Sequence, residues 1–230
     1  FDSKYLVGTG GSCRVFRAVV FGHTVAIKMF NETERKWDDQ QIQSEVELLA
    51  RTRHPHINRL IAISFDGPWR CLVLEYMDGG ALEDRLMNTD LPVLQWEDRA
   101  RILLHIARGL VYMHSLDPPV IHRDVKTANV LLQHGKDGAV VAKVSDFGTA
   151  RVNKEQQEGL LRTSIKTHAS TKQKCGTGPF MPPEYALRGQ VSSRTDSFAF
   201  GMVSGDHLCV SSNRYSPDPI PLSHIRISIH

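Results

Sequence analysis

The segment that most restricts the fold of this chain is Ile121-His122-Arg123-Asp124-Val125-Lys126-Thr127-Ala128-Asn129-Val130-Leu131-Leu132. It sets His122, Arg123, Asp124, Lys126 and Asn129 between apolar runs that read as buried. Burying charged groups is costly unless they are paired or hydrogen-bonded. A loop that held all five for structure alone would gain nothing for that cost, so the segment reads as functional. Fourteen residues after Leu132 comes Asp146, in Ser145-Asp146-Phe147-Gly148. That tetrapeptide ends a second apolar strand containing Val140, Val141 and Val144. Further on stands Gly176-Thr177-Gly178-Pro179-Phe180-Met181-Pro182-Pro183-Glu184.

The remaining chain divides by hydrophobic period. Residues 1–30 alternate (Tyr5, Val7, then Val15, Phe16, Ala18, Val20, then Val25, Ala26, Ile27), which predicts strands with turns at Gly8–Ser12 and Gly22–His23. Ile42, Val46, Leu49 and Ala50 make one helical stripe, ended by His54-Pro55. Short strands are predicted at Leu60–Phe65 and Cys71–Tyr76, joined by a turn at Asp66-Gly67-Pro68. After Met77-Asp78-Gly79-Gly80 helices dominate. The strongest is predicted from Trp96 to His114, with Ala100, Leu103, Leu104, Ala107, Leu110 and Val111 on its apolar face. A strand-rich lobe over 1–77 therefore precedes a helix-rich lobe over 78–203.

Composition excludes several classes. With 41% apolar and 23% charged residues the chain is a globular protein of one domain or two small lobes. A net charge of +3 is too small to imply nucleic acid or a membrane surface as partner. The four cysteines (Cys13, Cys71, Cys175, Cys209) form no C-x-x-C pair, which fits a reducing, cytoplasmic setting better than a disulfide framework or zinc site. No apolar run approaches the roughly 20 residues of a membrane span. The chain begins at Phe1 without a signal-like segment, so it reads as cut from something longer, a membrane-anchored protein being one possibility.

Near the N-terminus, Gly8-Thr9-Gly10-Gly11-Ser12-Cys13-Arg14-Val15 offers small residues whose backbone N–H groups can approach phosphate oxygens. No Gly-Lys-Ser/Thr follows, so it is not a P-loop. A strand follows rather than a helix, which argues against a dinucleotide-binding turn. Thirteen residues after Val15, in Val25-Ala26-Ile27-Lys28, an ammonium sits within an apolar strand and needs a partner. Glu45 lies beside Ile42 and Leu49 on the next helix, whereas Glu47 lies about 200° further round. Glu45 is the expected partner.

In order, these motifs (the glycine loop, V-A-I-K, H-R-D-x-K-x-x-N, D-F-G and a P-P-E variant of A-P-E) resemble those of protein kinases. Their wording is most similar to tyrosine-kinase-like and receptor-like Ser/Thr kinases. The resemblance covers residues 1 to about 203 and implies an α+β, two-lobed kinase fold: an antiparallel sheet with one helix, then a helical lobe. It implies ATP-dependent transfer of a phosphoryl group to a protein Ser/Thr hydroxyl. ATP would be held by Gly8, Thr9, Gly10, Gly11, Ser12, Cys13, Val15, Ala26, Lys28, Leu74, Glu75, Met77 and Leu131. Leu74 would be the gatekeeper, and Glu75-Tyr76-Met77 the hinge. Asn129 and Asp146 would hold Mg²⁺, for which Mn²⁺ can substitute. Asp124 would take the hydroxyl proton, Lys126 would neutralise charge on the transferred group, Lys28 would pair with Glu45, and Thr177 would contact Asp124 and Lys126. Leu49, Leu60, His122 and Phe147 match the regulatory spine.

The resemblance also implies control by phosphorylation between Asp146 and Glu184, a span of 39 residues, with Thr167, Ser170 and Thr171 as candidates and Arg123 as the residue that meets the phosphate. Two departures matter. Cys13 replaces the third loop glycine and reads as a small residue filling its slot, although a thiol near ATP would be oxidisable. Ser204-Gly205-Asp206 is expected to interrupt the helix that opens at Asp196, and 204–230 reads as a tail unlike a kinase, from a frameshift, a retained intron or a shortened isoform. That tail keeps a second function open, an ATP-binding pseudokinase or scaffold without turnover. A tyrosine kinase is the weakest alternative, because Lys126 points to Ser/Thr acceptors.

Overall fold

A computed structural model of the chain describes residues 2–10, 13–30, 39–65, 70–135, 138–152, 169–170 and 176–209. The first strands are β1 (Leu6–Thr9), β2 (Cys13–Val20) and β3 (His23–Phe30), of which β3 is the most buried. The β2–β3 turn is built on left-handed Phe21 and Gly22, with φ of 49° and 78°. Helix α1 (Asp39–Arg51) follows, then β4 (Leu60–Ser64) and β5 (Cys71–Glu75). The five strands form one antiparallel sheet in the order β1-β2-β3-β5-β4.

The second lobe starts with β6 (Gly80–Ala81), α2 (Leu82–Met87) and α3 (Trp96–Ser115). Then come β7 (Val120–Ile121), β8 (Val130–His134), β9 (Val140–Val144) and β10 (Arg151–Val152). β11 (Ala169–Ser170), α4 (Pro183–Arg188), β12 (Gln190–Val191) and α5 (Ser193–Cys209) complete it. β8 joins β6 and β9 in a small antiparallel sheet, and β7 pairs with β10. One core runs through both lobes: Ile42, Leu49 and Leu72 of the first share it with Ile102, Ile106, Val130, Val144 and Phe147 of the second.

Two expectations need correction. Helix α3 does form, but it buries Arg99, Ile102, Ile106, Gly109, Leu110 and Met113. Of the face read from sequence only Leu110 is among them; Leu104 and Val111 stay 48% and 67% exposed. The helix is apolar on both sides, so periodicity alone does not choose between them. Close packing chooses. A Cβ at Gly109 would lie 2.8 Å from the carbonyl oxygen of His56, so only glycine lets the loop after α1 lie on this side. The second correction concerns α5, which continues through Ser204-Gly205-Asp206 to Cys209. The Ser204 hydroxyl donates to the Phe200 carbonyl at 2.8 Å, one turn back, so it is satisfied inside the helix. One helical glycine costs only about 1 kcal/mol relative to alanine. Residues 210–230, the greater part of the expected tail, lie outside the described residues, as does the turn at Asp66-Gly67-Pro68.

The loop joining α1 to β4 docks on the second lobe through a stack of rings. His56 lies 3.9 Å from His105 of α3, nearly parallel, and His54 stacks on Tyr112 at 4.9 Å. Ala142 of β9 sets both tautomers: His56 Nδ1 donates to its carbonyl at 3.2 Å, and its N–H donates to His105 Nδ1 at 3.2 Å. Burial first, and then His56 with Arg108 and Arg101, pushes His105 down to about 4. Burial lowers His54 and His56 as well, with Arg108 adding to both.

Depressed histidine pKa values mean that between about pH 6.5 and 4 the unfolded chain binds more protons than the folded one. Stability is therefore fully present above that window and lost as pH falls through it. Thermal melts from pH 7 to pH 4.5 should show a steady fall in melting temperature. The slope should be shallower in His105→Phe, which keeps a ring in the stack and removes one titrating group. An unchanged slope in that variant would show that the stack does not carry the effect.

Candidate active site

The cleft between the lobes holds a cavity of about 420 Å³. Its walls include Gly8, Thr9, Gly10, Cys13, Val15, Ala26, Lys28, Leu74, Glu75, Met77 and Leu131, together with Glu45, Asn129 and Asp146. Gly11 and Ser12 lie outside the described residues. Every other residue expected to hold ATP or metal lines this one space. Strand pairing explains part of that convergence: β2 sets Gly8 opposite Val15, β5 sets Leu74 opposite Ala26, and β9 sets Lys143 opposite Leu131.

Lys28 is buried on β3. Its ammonium donates to Glu45 Oε1 at 2.8 Å and to Asp146 Oδ1 at 2.9 Å. Glu45 is the acid that helix phase selected, whereas Glu47 is exposed. Burial works against the Lys28 ammonium, yet the charges of Asp146 and Glu45 outweigh it and raise its pKa. Burial pushes the Glu45 carboxyl up, with Lys28 opposing. Lys28 holds Asp146 down to about 2, so that carboxylate is ionised throughout the working pH range. Burial also raises the Cys13 thiol, which keeps it in its less reactive protonated form.

The loop after β7 makes the second half of the site. The Thr177 hydroxyl donates to Asp124 Oδ1 at 2.9 Å and accepts from Lys126 Nζ at 2.8 Å. Lys126 Nζ also lies 2.8 Å from Asp124 Oδ2. The Asn129 amide donates to the Asp124 carbonyl and to Oδ2, at 2.8 and 3.0 Å. Thr177 reaches the loop because Gly176 precedes it with φ of 118°, and a Cβ there would lie 2.6 Å from the Arg123 carbonyl oxygen.

Arg123 and Asp146 both hold left-handed backbone, with φ of 69° and 62°. For residues other than glycine such geometry costs of order 1–3 kcal/mol and survives only where neighbours enforce it. At Arg123 the enforcing group is Asp196 of α5, which is fully buried. Its carboxylate accepts from the His122 and Arg123 backbone N–H groups at 2.9 and 2.8 Å and lies 2.8 Å from His114 Nε2. His122 in turn donates from Nε2 to the Ser145 carbonyl at 2.9 Å and packs edge-on to Phe147 at 5.2 Å. Sequence reading passed over Asp196 and His114 as site residues. The only signal available was an acidic residue in the first turn of that helix.

The donor set suits a hard divalent ion. Asp146 brings an ionised, half-exposed carboxylate, and Asn129, whose amide N–H₂ is committed to Asp124, keeps its carbonyl oxygen for a ligand. Among the described residues there is no cluster of three or more His, Cys, Asp or Glu able to hold a metal alone. Mg²⁺ fits such a sparse set, because it takes one or two protein oxygens and completes its shell with phosphates and water. Of the candidate phosphorylation residues, Ser170 lies in β11, paired with Gln190 of β12, while Thr167 and Thr171 lie outside the described residues. Arg123 donates from Nε to the Thr149 carbonyl at 2.6 Å.

Comparison with known proteins agrees with this geometry. The family described as "Protein kinase domain" matches residues 1–215. The chain is 37% identical over 211 residues to the receptor-like protein kinase ANXUR2 of Arabidopsis thaliana, covering 91% of this chain and 23% of that protein. It is 37% identical over 205 residues to the proline-rich receptor-like protein kinase PERK12 of the same plant, covering 88% and 26%. It is 38% identical over 207 residues to the leucine-rich repeat receptor protein kinase MSL1 of Oryza sativa subsp. japonica, covering 88% and 14%. The chain thus spans about a quarter or less of the length of these relatives. Among the described residues no helix is long and apolar enough to cross a membrane. With its motifs in order, its Asp124–Asn129 loop and Lys28 ion pairs assembled around one cleft, and a family match over most of its length, this chain belongs to the protein kinase domain family.

Proposed function

We propose that this chain is a protein Ser/Thr kinase that transfers the γ-phosphoryl group of Mg²⁺·ATP to a hydroxyl of a protein substrate, and that it is the cytoplasmic catalytic part of a longer, membrane-anchored receptor-like protein. The observation that carries the reading is the contact set Asp124–Thr177–Lys126: a carboxylate positioned to take a proton, with an ammonium 2.8 Å from it. In the transfer, the acceptor oxygen bonds to the γ-phosphorus as the bond from phosphorus to the ADP oxygen breaks, and the hydroxyl proton passes to Asp124. Lys126 balances charge on the moving phosphoryl group. Lys28, held by Glu45, binds the α- and β-phosphates. Asn129 and Asp146 would hold Mg²⁺, which when bound would supply positive charge against the phosphates. This chemistry needs alignment and charge balance more than covalent help, and the fold supplies both from packed elements.

By lobe, we propose 1–77 and 78–203 as the two halves of the cleft. Residues 204–209 continue α5 beyond them. The chain should be incubated with Mg²⁺·ATP and peptides carrying Ser, Thr or Tyr, and the products mapped by mass spectrometry. Phosphate is expected on Ser and Thr peptides, and on the chain itself within 162–174, at Thr167, Ser170 or Thr171. Transfer to Tyr alone would overturn the acceptor assignment. Nucleotide binding without transfer to any acceptor would favour the scaffold reading.

A further inference from the structure

Among the described residues, two ion pairs join the first lobe to the second across the cleft. One is Lys28–Asp146, at the phosphate end. The other is Lys143–Glu75, at the opposite end, where the chain passes between the lobes. Lys143 Nζ lies 2.7 Å from each oxygen of Glu75. The two side chains are only 12% and 20% exposed, so water screens this pair far less than a surface pair.

Its position gives it leverage. Glu75 is the last residue of β5, opposite Val25, and its backbone N–H donates to the Arg59 carbonyl at 2.9 Å. Lys143 is the cross-strand partner of Leu131, and cross-strand partners project from the same face of a ladder. The stem of Lys143 therefore runs beside Leu131, the cavity floor, while its ammonium holds the strand that carries Leu74, part of the cavity wall. The opposite face of β9, with Val140, Ala142 and Val144, is buried in the core, so the strand cannot swing to follow a displaced Glu75. The two cleft-spanning pairs also differ in what a ligand does to them. Lys28 and Asp146 have phosphate and metal to bind, so their mutual contact competes with the ligand. Nothing in the proposed reaction calls on Lys143.

We propose that the Lys143–Glu75 pair is a strap that sets the spacing of the adenine end of the cleft, making Lys143 a positioning residue for nucleotide affinity. The inference rests on the kinase reading of this cavity. Lys143→Met, which keeps the apolar stem beside Leu131, should weaken ADP binding and raise the KM for ATP about five-fold, the effect of losing one partly buried ion pair. The kcat at saturating ATP should stay within about twofold, because Asp124, Lys126 and Lys28 are untouched.

Glu75→Gln removes the other partner of the same pair and should weaken ADP binding to a similar extent. The double variant Lys143→Met with Glu75→Gln should be no weaker than either single, since the second change breaks nothing further. ADP affinity is measured by fluorescence titration of the purified chain, alongside a thermal melt of each variant. Single variants that bind ADP as the parent does, or a double variant in which the two losses multiply, would overturn the strap. So would a fall in kcat equal to the rise in KM. A parent chain that binds no ADP would overturn the kinase reading itself, which is a different result from a parent that binds with variants that match it.

Discussion

Lys28→Met should reduce phosphoryl transfer by two to three powers of ten, the loss of about 3–4 kcal/mol seen when one preorganised donor is removed from a transition state. Nucleotide binding should survive better, because the cavity walls and backbone donors remain. The variant also removes the charge partner of a buried carboxylate. Glu45 Oε1 loses its 2.8 Å contact, and Oε2 already has no hydrogen-bond partner. Glu45 answers by taking up a proton, for which burial has already raised its pKa. Some stability will be lost as well, and Lys28→Met with Glu45→Gln separates the two effects. The double variant should regain melting temperature without regaining transfer. Steady-state turnover near that of the parent in Lys28→Met would remove the role assigned to this residue.

Asp196→Ala should give the largest loss of stability. It leaves two buried backbone N–H groups, those of His122 and Arg123, without an acceptor, and takes away the partner of His114. Each buried donor left unpaired costs about 1–3 kcal/mol, so a total of roughly 3–5 kcal/mol is expected. For a chain of this size that lowers the melting temperature by about 10 °C. Transfer should fall even below the new melting point, because the left-handed backbone at Arg123 relaxes without Asp196 and moves Asp124 with it. Asp196→Asn, which keeps one acceptor oxygen, should sit between parent and Ala. Circular dichroism melts settle the matter: an Ala variant melting within a degree or two of the parent would show that Asp196 is not what holds the loop.

Chemistry was more legible in the sequence than packing was. Polar side chains locked between apolar runs, from Ile121 to Leu132, read as a functional loop, because structure alone does not repay their burial. Helix geometry alone separated Glu45 from Glu47 as the partner of Lys28, since two residues along a helix turn a side chain about 200°. Strand period laid out the sheet that carries Val15, Ala26 and Lys28. Each of these readings depends on neighbours in sequence, or on a period that the backbone itself imposes.

Other features depended on contacts between distant segments. The buried face of α3 was misread because the helix is apolar on two sides, and the choice fell to Gly109, where the His56 carbonyl comes too close for any side chain. The continuation of α5 past Val203 was misread because Ser204 and Gly205 weaken a helix only slightly when measured against its packing. Asp196 was read only as the start of a helix, because its three hydrogen-bond partners lie 73 to 82 positions earlier. The Lys143–Glu75 pair, 68 positions apart, is of the same kind. By itself, the sequence picked out the ionisable residues that the fold brings together at one cleft, since groups at those spacings have no cheaper explanation. Only the tertiary structure decided which groups hold them in place, because that support comes from burial and hydrogen bonds between segments whose meeting no local pattern records.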